Sequence, residues 1–334
     1  MTAIRTLAAA AFLLFSAAVG AVQAQDAVKQ HRIAIVIPSG PVARISDKGG
    51  SRFYQAIFEE LRRLGDIEGQ TLTVERYSGE GRPEGFADLA RDVVNRNPQV
   101  IVASTDRVAQ AVRAASGTIP IVWIGGDPIR GGLATSLAHP GDRATGVTVY
   151  VGPEIWGKRL QILEEAVPSV SKVAFLGMRT DWSADEQQLR EAGRQLEISI
   201  IGMPLQESTQ SEYRRVFSEI AQERPDAIVV SSDGALVPYG QLIVGLAEKS
   251  RFPAMYPWRE YVEAGGLMTY EVDPSELGRR MAEDVHEILN GAKPGDIPIY
   301  QPTKYQLVIN LKAAKALGLA IPPALLATAD EVIE

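Results

Sequence analysis

The chain of 334 residues contains no cysteine, three histidines and few aromatic residues, which make up 7% of it. The lack of cysteine excludes disulfides, thiolate metal sites and a lipid anchor on an N-terminal cysteine. The histidines, at positions 31, 139 and 286, do not have the spacing of metal ligands. We therefore expect no metal and no cofactor, and a fold stabilised by burial of apolar side chains.

The sequence also lacks a basic patch and the common catalytic motifs. It has 34 lysines and arginines against 41 acidic residues, a balance that disfavours nucleic acid and anionic membranes as partners. It contains no GxSxG, HExxH or P-loop motif, and the glycines at 79, 81 and 85 miss the dinucleotide-binding spacing by one position. Together with the export signal and the two-lobe pattern described below, these absences predict a binding protein and not an enzyme.

One long apolar run is present, at residues 6–20, after Arg5. Val22 and Ala24 are the small residues of a cleavage site, so residues 1–24 are predicted to be a secretory signal peptide. A transmembrane anchor is the alternative, but the run is shorter than the roughly 20 residues that span a bilayer. We expect an unlipidated protein in the periplasm, without membrane insertion, whose formal charge changes from −7 to −8 when Arg5 is removed.

Short apolar segments alternate with amphipathic ones along the rest of the chain. "RIAIVI", "QVIVAS" and "IPIVWIGG" are typical of buried parallel strands, and residues 53, 57, 61 and 64 form a helical stripe. The alternation resumes after residue 150 with "KVAFLG", "EISIIGM" and "DAIVVSS", and Ser183 with Glu186 predicts a capping box at a helix start. The pattern predicts an α/β fold of two Rossmann-like lobes with parallel sheets.

The two units contain a repeated pattern. Residues 98–106 are "PQVIVASTD" and residues 225–233 are "PDAIVVSSD". In each copy a buried strand ends in a polar triplet that opens a helix, which predicts equivalent positions in two similar lobes. Ligands of parallel sheets bind beyond the carboxyl ends of the strands, so the two triplets are expected to face one shared cleft.

Polar and aromatic residues at these strand ends are the candidate ligand contacts. If the ligand is an amino acid, Ser104, Thr105 and free N–H groups at a helix start would hold its carboxylate, and Asp127 or Asp233 would accept from its ammonium group. Plain N-capping is the alternative for the polar residues, and core packing for the aromatic ones. The candidates are Ser39, Ser104, Thr105, Gly126, Asp127, Trp182, Ser231, Asp233, Tyr256 and Trp258.

Several stretches also resemble a known family. They are "GRPEGFADLARDVV", "TIPIVWIGGDPIRGGLATSLAHPGDRATGVT", "GKRLQILEEAVPSVSKVAFL", "REYVEAGGLMTY" and the C-terminal "QPTKYQLVINLKAAKALGLAIPPALLATADEVIE". The chain resembles, over nearly its whole length, the periplasmic substrate-binding proteins of ABC transporters, in the branch typified by a tryptophan-binding protein. Loops 38–54 and 177–186 depart from the usual pattern of that branch, and both lie at the expected cleft.

The resemblance implies the type I periplasmic-binding-protein fold, with three hinge crossings between the lobes. We expect the crossings near residues 145–150, 269–273 and 302–305. Lobe 1 would then comprise residues 29–147 and 272–302, and lobe 2 residues 148–271 and 303–334.

The function implied is capture of a small molecule, and the expected ligand is an aromatic amino acid or related small carboxylate. The protein, as a monomer, would deliver it to an inner-membrane ABC permease and its ATPase. Two alternatives stay open: a periplasmic module that signals to a receptor kinase, and an exported enzyme.

Overall fold

The computed structural model describes residues 30–49, 51–141, 143–149 and 154–334. The predicted signal peptide lies outside these residues. Within them the chain forms two β-sheets, each covered by helices on both faces. This arrangement confirms the predicted α/β fold with two Rossmann-like lobes.

The first sheet contains five strands, all paired in parallel, in the order β2-β1-β3-β4-β5. Their apolar side chains are buried because helices cover both faces, which explains the nearly continuous hydrophobic runs in the sequence. The strands are β1 (His31–Ile37), β2 (Leu72–Ser78), β3 (Val100–Ala103), β4 (Ile121–Gly125) and β5 (Ala144–Thr148).

Four helices pack on this sheet: α1 (Arg52–Arg63), α2 (Phe86–Asn95), α3 (Asp106–Ala115) and, from far along the chain, α9 (Pro274–Leu289). Helices α1 and α9 bury one face of the sheet, and α2 and α3 bury the other. Three short 3-10 helices complete the lobe, at Val42–Arg44, Pro83–Gly85 and Pro294–Asp296.

The second sheet has seven strands in the order β12-β11-β10-β9-β8-β6-β7, parallel except for the antiparallel pair β10–β11. The strands are β6 (Lys172–Met178), β7 (Ser199–Leu205), β8 (Ala227–Val230), β9 (Ala254–Tyr256), β10 (Met268–Glu271), β11 (Gln306–Asn310) and β12 (Glu331–Ile333). Its helices are α4 (Glu154–Ala166), α5 (Arg179–Gln195), α6 (Gln210–Glu223), α7 (Gly240–Lys249), α8 (Arg259–Glu263), α10 (Leu311–Leu317) and α11 (Pro323–Thr328), with a 3-10 helix at Val237–Tyr239.

The two sheets share one strand order, which confirms the equivalence predicted from the repeated pattern. The order β2-β1-β3-β4-β5 matches β7-β6-β8-β9-β10, so β3 and β8 occupy the same central position. The chain passes between the sheets after β5, after β10 and before β11. Residues 150–153 of the first crossing lie outside the described residues, and the lobe boundaries remain a prediction.

Helix α5 begins one turn earlier than the sequence predicts. Its first residue is Arg179, and the Asp181 carboxylate accepts a hydrogen bond from the backbone N–H of Met178 at 2.9 Å. Ser183, the predicted N-cap, is an exposed residue inside the helix, so the predicted capping box is wrong. The Asp181 side chain satisfies a free N–H group at the helix start, which stabilises the earlier beginning.

Helices α1 and α9 pack in close contact at Gly278. A Cβ atom there would lie 2.3 Å from the carbonyl oxygen of Phe53 and 3.0 Å from Cβ of Ala56. The contact is important for the site because the first turn of α1 carries Phe53 and Tyr54.

Gly278→Ala is expected to lower the thermal unfolding temperature although alanine favours helix by about 1 kcal/mol. The added methyl group forces α9 away from α1. Gly245→Ala is the matched control, since Gly245 is also inside a helix but has nothing within 4 Å of its Cβ position. That change should leave the unfolding temperature unchanged or raise it. Equal effects of the two substitutions in a thermal melt would contradict the packing argument.

Candidate functional site

A cavity of about 400 Å³ lies between the carboxyl edges of the two sheets. This volume is within the roughly 300–1,000 Å³ of small-molecule pockets. Its wall comes from both lobes, mainly from the ends of strands and the first turns of helices. The position is the one predicted for a ligand of two facing parallel sheets.

Eight of the ten predicted contact residues line this cavity: Ser39, Ser104, Thr105, Gly126, Asp127, Ser231, Asp233 and Trp258. They follow β1, β3, β4, β8 and β9 directly in the chain. Parallel strands bring these ends to one edge, so the cavity gathers residues far apart in sequence.

Trp182 and Tyr256 lie elsewhere, in the core of the second lobe. The Trp182 ring packs 5.6 Å from the ring of Phe175 and covers Gly202. Tyr256 is 2% exposed and stacks on Tyr261 at 5.4 Å. The earlier start of α5 turns Trp182 towards the sheet, and Tyr256 projects into the layer of α6 and α7.

Four aromatic residues that the sequence analysis did not select join Trp258 in the cavity wall: Phe53, Tyr54, Trp156 and Tyr305. The first two contact each other edge to face, with ring centroids 5.1 Å apart. Phe53, Tyr54 and Trp156 lie in the first turn of a helix, and Tyr305 lies in a crossing segment. These positions border the cleft. The predicted crossing at residues 302–305 was the signal that could have identified Tyr305, whereas a helical pattern does not show that the first turn of the helix faces a cavity.

Three carboxylates lie close together in the cavity wall. Asp106 accepts hydrogen bonds from Trp123 Nε1 at 2.8 Å and from the backbone N–H of Gly126 at 3.0 Å. Asp181 accepts one from Ser231 Oγ at 2.7 Å. Asp233 forms an ion pair with Arg107 across the cleft at 3.2 Å. We call Asp106, Asp181 and Asp233 the acidic cluster.

Among the described residues, one arginine lies at ion-pair distance from the acidic cluster, Arg107, which pairs with Asp233. Burial raises the pKa of Asp106 to about 6, and the negative charge of Asp233 adds to the effect. Burial likewise raises the pKa of Asp181 well above its usual range, again with a contribution from Asp233. Arg107 opposes both shifts. A site of this kind favours a cationic group on a ligand.

Arg159 on α4 adds a buried cation to the same cavity. It is 4% exposed, and its guanidinium lies over the Trp156 ring, 5.4 Å from the centroid. Its Nε and Nη2 atoms donate to the Tyr270 carbonyl at 3.2 and 3.1 Å, and Nη1 donates to Ser232 Oγ at 3.2 Å. Burial lowers the pKa of Arg159 to about 10.

The lobes contact each other around the cavity. Ser39 Oγ donates to the Ala235 carbonyl at 2.7 Å, and the N–H of Ser208 donates to the Gly81 carbonyl at 3.0 Å. Arg130 Nη1 donates to the Ala184 carbonyl at 2.7 Å. Each contact joins a residue of the first lobe to one of the second, so the cleft is closed in this structure.

The sequence model for "ABC transporter substrate binding protein" matches residues 42–333. The chain belongs to this family. Its members are substrate-binding proteins, which confirms the prediction that the chain is not an enzyme. The protein is therefore a substrate-binding protein of an ABC-type system that takes a small molecule.

Three comparisons relate this substrate-binding protein to known proteins. It is 23% identical to the "Tyrosine-binding protein" of Clostridioides difficile over 276 residues, 82% of this chain and 77% of that one. A conserved domain protein of Vibrio cholerae superimposes with a TM-score of 0.81 at 24% identity, over 91% of this chain and all of that one. An ABC domain of Streptococcus pneumoniae in complex with L-Trp gives a TM-score of 0.79 at 21% identity, with the same coverage. These structures have the predicted type I periplasmic-binding-protein fold.

No helix among the described residues has the length and hydropathy of a membrane-spanning segment. These residues also contain no group of three or more histidine and acidic side chains that could hold a metal ion.

Asp106→Asn is expected to stabilise the unliganded protein increasingly as the pH rises from 4 to 7. The folded-state pKa of Asp106 is about 6, above the ordinary value of about 3.9. The protonated carboxyl group is favoured in the folded state, so its contribution to the free energy of unfolding is complete below pH ~4. This contribution is lost as the pH rises through about 6. Asparagine does not ionise, so the unfolding temperature of the variant should exceed that of the wild type most at pH 7. A difference that does not change with pH would contradict the burial of this charge.

Proposed function

We propose that the protein captures a free aromatic amino acid, or a closely related small carboxylate, in the cleft between its lobes. The observation that carries the proposal is the composition of the cavity wall, where five aromatic side chains surround charged groups of both signs. An aromatic amino acid has the matching parts: a ring, an ammonium group and a carboxylate. Its ring would stack on aromatic faces that the closed lobes shield from water.

The relatives support an amino-acid ligand. One is described as a tyrosine-binding protein, and one structural neighbour was crystallised with L-Trp. With identities of 21–23%, these likenesses favour the ligand class more than a particular side chain.

We assign the ammonium group of the ligand to the acidic cluster. Ser104 and Thr105 are the carboxylate contacts expected from the sequence, but both precede Asp106, whose negative charge would repel an anion. Thr105 also caps α3 through the N–H of Val108 at 3.4 Å. Asp127, a predicted partner of the ammonium, accepts from the N–H groups of Ile129 and Arg130, which favours a role in its turn.

Calorimetric titration with L-tyrosine, L-tryptophan and L-phenylalanine tests the ligand class. We expect saturable binding of at least one of them, with a dissociation constant of about 1 μM or tighter, near −8 kcal/mol. L-Alanine, which has both charges but no ring, should bind far more weakly. The absence of heat and of a thermal shift with all three aromatic amino acids would contradict the proposed ligand.

We further propose that the loaded protein delivers its ligand to an inner-membrane permease from the periplasm. Family membership and the predicted signal peptide support this role. A strain without the protein should lose high-affinity uptake of the radiolabelled amino acid, and the full-length gene should restore it. Unchanged uptake together with a lost transcriptional response would favour the sensing alternative.

The lobes are proposed to close over the ligand about the crossings. Gly81 lies where the lobes contact each other, and a Cβ atom there would be 2.1 Å from the Ser208 carbonyl oxygen of the other lobe. Gly81→Ala should therefore hold the lobes apart and weaken binding of the aromatic amino acid by at least about tenfold, or 1.4 kcal/mol.

Gly69→Ala is the matched control for that substitution. Gly69 has φ +81°, close to the +79° of Gly81, but nothing lies within 4 Å of its Cβ position. Both variants should lose similar stability because alanine is strained at positive φ. Only Gly81→Ala is expected to bind the amino acid more weakly than the wild type. In small-angle X-ray scattering with ligand, only this variant should have a larger radius of gyration than the wild type. Equal binding and equal radii of gyration for the two variants would exclude closure of the lobes at the contact between Gly81 and Ser208.

A further inference from the structure

Arg159 has hydrogen-bonding capacity that its neighbours do not use. A guanidinium carries five N–H bonds. Three are donated, by Nε and Nη2 to Tyr270 and by Nη1 to Ser232. Within the described part of the chain, one N–H on each terminal nitrogen is left over. Two terminal N–H groups can bind both oxygens of a carboxylate together.

The charge of Arg159 also has no partner at ion-pair distance among the described residues. Its three hydrogen bonds go to two neutral acceptors, the Tyr270 carbonyl and the Ser232 hydroxyl group. Glu271 on β10 and Asp185 on α5 act on it from farther away, as do the hydroxyls of Tyr270 and Tyr305. A charge that is 4% exposed is costly to bury without a counter-ion, and a ligand anion would supply one.

One short segment, residues 231–233, connects Arg159 to the acidic cluster. Ser231 Oγ contacts Asp181, Ser232 Oγ contacts Arg159, and Asp233 belongs to the cluster itself. Adjacent positive and negative subsites fit a ligand whose ammonium and carboxylate are on the same carbon atom. The adjacency of the two subsites distinguishes an α-amino acid from a molecule with its charges at opposite ends.

We propose that Arg159 binds the α-carboxylate of the ligand while Asp181 and Asp233 bind its α-ammonium group. The inference rests on the proposed function and identifies the residue that selects amino acids over the corresponding amines. An amine without a carboxylate would leave the Arg159 charge buried and uncompensated. Such a mismatch is discriminated strongly, because buried polar groups remain unpaired.

The test compares L-tyrosine with tyramine, which lacks only the carboxylate, and L-tryptophan with tryptamine, by calorimetry. The wild type should prefer each amino acid over its amine by about 100-fold or more, near 2.7 kcal/mol. Arg159→Met should weaken amino-acid binding by about the same factor and bind the amine at least as well as the wild type. Arg179→Met is the matched control, since the Arg179 side chain donates to Gln206 and does not line the cavity. This variant should bind both ligands like the wild type.

Arg44 is a competing candidate for binding the carboxylate, because it also lines the cavity. It is more exposed than Arg159, so its charge needs a counter-ion less. Arg44→Met should preserve the preference for amino acid over amine. The proposal is overturned if Arg44→Met removes that preference and Arg159→Met does not, or if Arg159→Met weakens amino acid and amine equally.

A folding defect and a wrong ligand class give separate outcomes. If circular dichroism shows that Arg159→Met is unfolded, Arg159→Lys replaces it. Lysine keeps the charge without the planar pair of N–H groups, so the preference should fall about tenfold, and an unchanged preference overturns the proposal. If the wild type binds none of the aromatic amino acids, the proposed function fails and this inference with it. If the wild type binds them and Arg159→Met binds them equally well, only this inference fails.

Discussion

The cleft depends on charges that the protein buries without balancing them. Among the described residues, Asp106, Asp181 and Asp233 have one ion pair, between Asp233 and Arg107, and burial raises the pKa of the first two carboxylates. Arg159 is buried a short distance away with neutral hydrogen-bond partners. Each unbalanced group costs folding free energy, which a bound zwitterion would offset. Ligand binding and closure are therefore expected to stabilise each other.

The two sheets make this arrangement possible. Parallel pairing brings the ends of β1, β3 and β4 to one edge in the first lobe, and the ends of β6, β8 and β9 to one edge in the second. Helix α9, which follows the second crossing, buries α1 on the first sheet and so fixes the turn that carries Phe53 and Tyr54. Gly81 and Gly278 have no side chain, which allows the lobes to approach each other at Gly81 and helices α1 and α9 to approach each other at Gly278.

The fold and most of the cleft could be predicted from the sequence because both follow from strands. Runs such as "QVIVAS" and "DAIVVSS" identify buried parallel strands, and the polar residues after them must lie at one edge. Side chains on helices were harder to predict. Trp156 and Arg159 lie in α4, and a helical pattern does not show that its first turns face a cavity. Trp182 lies outside the cavity wall because Asp181, and not Ser183, stabilises the start of α5.

The most direct test of a zwitterion-binding cleft is the identity of the molecule that the protein carries from its own cell. Protein purified under native conditions can be denatured, and the released small molecule identified by mass spectrometry. We predict an aromatic α-amino acid, released in a ratio of up to one per chain. A neutral sugar, or an anion without an ammonium group, would contradict it, because neither offers a cation to the acidic cluster.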